Sequence, residues 1–238
     1  MDLEAHYQKL HQNALEEIRM NGFSYDSGLE DESDSRRGLT LLLQPKDAII
    51  SNFNRFILDL TAVEPGQYAY PSSDIHITIM PIISCYEGFT LDTVGRNPYI
   101  HLIDKALKGM KKIKVRFQGV FASTSCLMIK GYPINGELET CRKKLREIFS
   151  QSKVPQSLDK RYRLVTAHST VFRFKQPVKH PDNILSLLGQ YENHYFGDQE
   201  FDQAKFVFND WYQRKEKVIP LKTFDLHEQK GEFPDLPE

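Results

Sequence analysis

Two short stretches decide the fold: Ile75-His76-Ile77-Thr78-Ile79 and Ala167-His168-Ser169-Thr170-Val171. Each is a His-x-Thr triplet inside a run of strand-forming residues. Side chains at i and i+2 of a strand share one face, so each triplet presents an imidazole and a hydroxyl side by side. Two triplets brought together offer an acid, a base and two hydrogen-bond donors around one small anion.

Outward from these stretches the chain reads as a duplicated pattern. Leu39 to Leu43 predicts a buried strand. A helix follows from Pro45, with Ile49, Ile50, Phe53, Phe56, Ile57 and Leu60 at helical spacing. Pro65-Gly66 ends it, and Tyr68 to Ile83 is extended and carries the first triplet. Pro98 to Leu107 predicts a second helix, and Ile113, Val115 and Phe117 alternate as a strand does. The order then recurs: a strand over Ser123 to Lys130, a turn at Gly131-Tyr132-Pro133, and a helix marked by Leu138, Cys141, Leu145 and Ile148. The second triplet lies in a strand over Leu164 to Phe174, followed by a helix at Ile184 to Tyr191 and strands at Ala204 to Phe208 and Val218 to Leu226. Ile113 lies 37 residues after His76, and Lys205 lies 37 residues after His168. The repeat is one of pattern, without strong residue identity.

The flanks differ in character. Leu3, Tyr7, Leu10, Ala14 and Ile18 predict an amphipathic N-terminal helix within 1–23, for which packing on the body and self-association are both open. Ser24 to Arg37 is acidic and Ser-rich and reads as a flexible loop over 24–37. The main domain is expected over 38–226, as lobes of about 38–121 and 122–226 with exchange of elements left open. A loosely ordered tail is expected over 227–238.

Composition narrows the function. The chain has 238 residues, 40% hydrophobic and 26% charged, with a net charge of −1, which argues against a protein that coats long nucleic acid. Three cysteines without a C-x-x-C pair fit reduced thiols. The acidic start lacks a secretory h-region and no apolar run reaches the ~20 residues of a membrane span, so a cytoplasmic location is expected, with no membrane and no obligatory protein partner.

The paired motifs resemble those of the two-histidine phosphoesterase superfamily, the LigT-like proteins, over Gly38 to Leu226. The resemblance implies an α+β fold of two pseudo-symmetric lobes, antiparallel sheets forming a central cleft with helices outside. It implies His76 and His168 as the catalytic pair and Thr78 and Thr170 as phosphate contacts. The implied substrates are 2′,3′-cyclic phosphates, 2′-5′ linked nucleotides or RNA ends, with neither cofactor nor metal. Arg173 stands where several members carry an arginine, but strict alternation turns it away from His168, so a bulge or a strand end is required.

The residue types fit that chemistry on their own terms. Displacement at phosphorus needs a base on the attacking oxygen and an acid on the leaving one. Histidine serves for either near neutral pH, and threonine hydroxyls can donate to the non-bridging oxygens. A zinc site lacks a third ligand at recognisable spacing. A nucleotide-binding module without chemistry and a hydrolase of a non-nucleotide cyclic phosphodiester are the rival readings. Tyr70 and Tyr132 are candidate base-stacking residues. The basic clusters Lys108–Arg116, Arg142–Arg146 and Lys160–Arg163 read as solvated faces, or as steering groups if they border the cleft.

Overall fold

The computed structural model describes residues 2–227; all of the expected tail except its first residue lies outside them. Among the described residues, nine strands form two antiparallel sheets. The strands are β1 (Arg37–Leu43), β2 (Tyr68–Ala69), β3 (Ile77–Tyr86), β4 (Ile113–Ala122), β5 (Cys126–Pro133), β6 (Ser169–Arg173), β7 (Tyr195–Phe201), β8 (Gln203–Asp210) and β9 (Ile219–Asp225). The helices are α1 (Leu3–Asn21), α2 (Asp47–Val63), α3 (Asn97–Leu107), α4 (Glu137–Ser150) and α5 (Pro181–Gln190). None of them, among the described residues, is long and apolar enough to cross a membrane.

The first sheet runs β3-β1-β8-β9 and the second β2-β6-β5-β4-β7. The fourth strand of each sequence half therefore joins the other half's sheet: β4 pairs with β5, and β8 pairs with β1. The helices cross in the same sense. After β1 in the first sheet, α2 packs on β6 and β7 of the second; after β5 in the second, α4 packs on β3 of the first. Every apolar residue that marked α2 in the sequence is buried, from Ile49 to Leu60. An amphipathic helix is stable here because that whole stripe meets a sheet.

The pseudo-symmetry reaches individual residues. Leu42 faces Thr78 while Leu41 faces Met80, which leaves Ile79 as the extra residue of a bulge. In the second sheet Met128 faces Thr170 while Leu127 faces Phe172, which leaves Val171 in the same role. Each bulge lies one residue past its His-x-Thr triplet and flips the alternation beyond it. Pro81 and Arg173, each five residues past its histidine, return to the cleft face as a result. Of the two ways for Arg173 to face the cleft, a bulge or a strand end, the bulge is present.

Two local expectations are corrected, and one strand is added. Gly131-Tyr132-Pro133 is not a turn but the end of β5. Gly131 is needed there because a Cβ would lie 2.0 Å from the carbonyl oxygen of Ala167. β7 carries no apolar alternation in the sequence because Gly197 and the buried Gln199 interrupt it between Phe196 and Phe201, while on its outer face Asp198 pairs with Arg116, and Glu200 with Lys112 and Lys114. Residues 24–37 do not hang free. Leu29 is buried within a short 3₁₀ turn, Asp26 accepts from Tyr212 Oη (2.9 Å), and Arg214 donates to the Leu29 carbonyl (3.1 Å). One apolar anchor and a few polar ties dock the segment despite its composition.

Helix α1 packs on the body. It is capped by Asp2, whose carboxylate accepts from the backbone of Glu4 and Ala5, and it buries Tyr7, Ala14 and Ile18. The Tyr7 hydroxyl sits where β5 and the chain before β6 separate. It accepts from Ala167 N–H (3.0 Å) and Gly131 N–H (3.3 Å) and donates to Gly131 O (3.0 Å). Tyr7→Phe strands two buried amides, each costing about 1–3 kcal/mol. Urea unfolding is expected to show a loss of about 2–6 kcal/mol; an unchanged midpoint would contradict it.

Candidate active site

Both triplets open onto one cleft between the sheets, lined by His76, Thr78, His168, Thr170, Tyr70 and Arg173. Each histidine immediately precedes its strand, β3 or β6, and each threonine is the second residue in. Neither threonine side chain has a hydrogen-bond partner among the described residues, so both hydroxyls are free to donate into the cleft.

The imidazoles are held differently. His76 Nδ1 lies 2.7 Å from the carbonyl oxygen of Asp74. A carbonyl only accepts, so Nδ1 carries a proton and Nε2 is the nitrogen left for chemistry. His168 Nδ1 lies 2.9 Å from Thr166 Oγ1, a group that can donate or accept. Phe121 meets the His168 ring edge-on, with centroids 5.7 Å apart, and Phe121 itself packs on Tyr7.

The electrostatics separate the two further. Burial lowers the pKa of His168, and the charges of His76 and Arg142 lower it more, to about 4. Burial lowers His76 as well, but the Asp74 carbonyl and the charges of Asp74 and Asp210 act in the opposite direction. Both imidazoles are thus pushed toward the neutral form, but His76 has opposing support for a proton that His168 lacks.

Arg142 was read as part of a solvated basic face; it is instead 2% exposed. Its guanidinium donates to the carbonyls of Thr78 (2.9 Å), Ile79 (2.9 Å), Val165 (3.0 Å) and Thr166 (2.7 Å). One buried side chain thus ties together the backbones of both triplet-bearing segments. Burial lowers its pKa to about 10, which leaves it charged at neutral pH.

Arg173 reaches the cleft with Nε donating to Tyr70 Oη (3.3 Å) and Nη1 donating to Asp26 Oδ2 (3.3 Å). Tyr70 is 4% exposed and serves as its support. Tyr132 lies away from the cleft. It packs edge-on against Tyr7 and its hydroxyl donates to Glu4 of α1. It faces α1 because Gly131 and Tyr132 continue β5 instead of turning. Of the basic clusters, the Lys108–Arg116 run pairs in part with β7, Arg146 pairs with Asp159, and Arg161 and Tyr162 of the third line the cleft. No group of three or more His, Cys, Asp or Glu side chains suited to a metal is assembled among the described residues.

Comparison with known proteins places this fold. TT0787 of Thermus thermophilus superposes with a TM-score of 0.56 at 14% identity, over 82% of this chain and 99% of that one. E. coli LigT complexed with 3′-AMP gives 0.52 at 12% identity, over 81% and 99%. A solved phosphoesterase gives 0.52 at 12% identity with the same coverage. The chain has the LigT-like fold, as the paired motifs implied. No protein-family model matches the sequence. No curated protein matches it either.

Proposed function

We propose that this chain is a metal-independent phosphodiesterase of 2′,3′-cyclic phosphates, 2′-5′ linked nucleotides or RNA ends, with His76 and His168 as its acid–base pair. The carrying observation is the bulge-for-bulge correspondence of the two triplets, which leaves two imidazoles and two unpartnered threonine hydroxyls in one cleft. E. coli LigT has been solved with 3′-AMP and with phosphate, ligands of the size and charge this cleft would take.

His168 is the base and His76 the acid. His168 removes a proton from the attacking water, whose oxygen bonds to phosphorus as the opposite P–O bond breaks. His76 Nε2–H supplies the proton that the leaving oxygen takes up. Thr78, Thr170 and Arg173 meet the non-bridging oxygens, where negative charge gathers in the transition state. Burial and the charges of His76 and Arg142 keep His168 neutral, while the Asp74 carbonyl and the charges of Asp74 and Asp210 oppose the burial that lowers His76.

Thr78→Val and Thr170→Val each remove one donor without adding volume, and kcat is expected to fall by roughly 10²-fold in each. Steady-state kinetics check this; unchanged rates in both would take the hydroxyls out of the mechanism. The reading as a whole is tested by a panel of 2′,3′-cyclic nucleotides, 2′-5′ and 3′-5′ dinucleotides, cyclic-phosphate RNA and a cyclic sugar phosphate, with products mapped. Turnover of a cyclic or 2′-5′ nucleotide substrate is expected. Nucleotide binding without turnover would make the chain a binding module, and turnover of the sugar phosphate alone would move it to another substrate class.

A further inference from the structure

Beyond the proposed reacting groups, the cleft is lined by a further set of aromatic and basic side chains. Trp211, the only tryptophan of the chain, lines the cleft together with Arg161, Tyr162 and Tyr212. The guanidinium of Arg161 lies 4.7 Å from the Trp211 ring centre, and that of Arg36 lies 4.8 Å from it. Tyr162 is 63% exposed although it lines the cleft. An exposed aromatic ring at the mouth of an anion-binding cleft is a stacking surface.

The charges here are matched unevenly. Arg36 is paired with Asp34, Arg173 with Asp26, and Arg214 with Asp210. Asp159, which also lines the cleft, is taken by Arg146. Arg161 meets no carboxylate among the described residues; its contact is the Trp211 ring. A lining cation without an anion, next to aromatic rings, is the complement of a second phosphate attached to a second base.

Resting on the phosphodiesterase reading, we infer that the site takes the end of an oligonucleotide, with the phosphate next to the reacting one at Arg161, beside Trp211, and the flanking base on Tyr162. A mononucleotide fills the reacting part of the cleft and leaves this part empty.

The single tryptophan is the probe. Its fluorescence is titrated with a nucleoside 3′-monophosphate, a nucleoside 3′,5′-bisphosphate, and a dinucleotide bearing a 3′-phosphate, none of which needs turnover. The dinucleotide is expected to bind at least tenfold more tightly than the monophosphate and to quench Trp211, with the bisphosphate between them. Arg161→Gln should remove most of the bisphosphate's gain and lower the salt dependence of dinucleotide binding by about one phosphate contact, a slope change of ~0.7. Tyr162→Ala should remove most of the gain from bisphosphate to dinucleotide. Equal affinity for all three ligands in the unmodified protein, or gains that survive both substitutions, would overturn the subsite. Hydrolysis of a 2′,3′-cyclic mononucleotide is measured in parallel. Its absence would strike the phosphodiesterase reading, while the titrations still decide the subsite.

Discussion

His76→Ala and His168→Ala each lower kcat by at least ~10²-fold while thermal unfolding stays close to that of the unmodified protein. The fold survives because each imidazole is held at Nδ1 by a single bond, to the Asp74 carbonyl or the Thr166 hydroxyl, and both rings face the cleft. The two losses differ in kind. Without His76 the leaving oxygen departs unprotonated, so a substrate with a good leaving group, such as an aryl phosphodiester, recovers much of the rate. Without His168 the attacking water keeps its proton, and no leaving group compensates. Kinetics of both variants on an alkyl and an aryl substrate therefore test the assignment. Rescue of the His168 variant alone would reverse the roles, and near-normal activity in either would remove that residue from the chemistry.

Arg142→Met should cost both stability and activity. Its four acceptors are main-chain carbonyls of the two triplet-bearing segments, and no aliphatic side chain can bond to them. Each buried acceptor left alone costs about 1–3 kcal/mol, so a total of at least ~3 kcal/mol is expected in urea unfolding even with partial relaxation. A lysine at this position keeps the charge but lacks the planar fork, and should recover only part of the loss. The charge itself has a separate signature. Removing it lets His168 accept a proton more readily, so the acid limb of the pH–rate profile moves to higher pH in Arg142→Met and stays in place in Arg142→Lys. A purely structural role would lower the rate without moving the limb.

Much of this was legible in the sequence because periodicity reports burial directly. The run Leu39 to Leu43, the stripe of α2 and the two triplets all appear where their spacing puts them. The crossing of β4 and β8 between sheets was not legible, since alternation fixes which face of a strand is apolar but not which strand it joins. Arg142 left a faint trace. It lies four residues after Leu138 and three before Leu145, on the stripe that α4 buries, yet its neighbours Lys143 and Lys144 made the run look solvated. Thr166 could have been read as the next same-face residue before His168. The docking of residues 24–37 turns on Leu29 and Asp26, one apolar and one acidic side chain whose partners come from distant parts of the chain. Trp211 and Arg161 meet only through the fold, 50 residues apart in sequence.

The most direct test of the two-histidine mechanism is the pH dependence of kcat/KM on the best panel substrate, with and without a strong chelator. The account predicts a bell for the free enzyme. His168 must be neutral to act as base, so activity falls as pH drops through about 4. His76 must be protonated to act as acid, so activity falls again as pH rises through a value below the ordinary histidine pKa of about 6.5. Both limbs belong to the coupled pair. The bound anion favours both imidazolium forms, so the corresponding limbs of kcat should lie at higher pH. The chelator should leave every point unchanged; activity lost on chelation and restored by one divalent metal would contradict the mechanism.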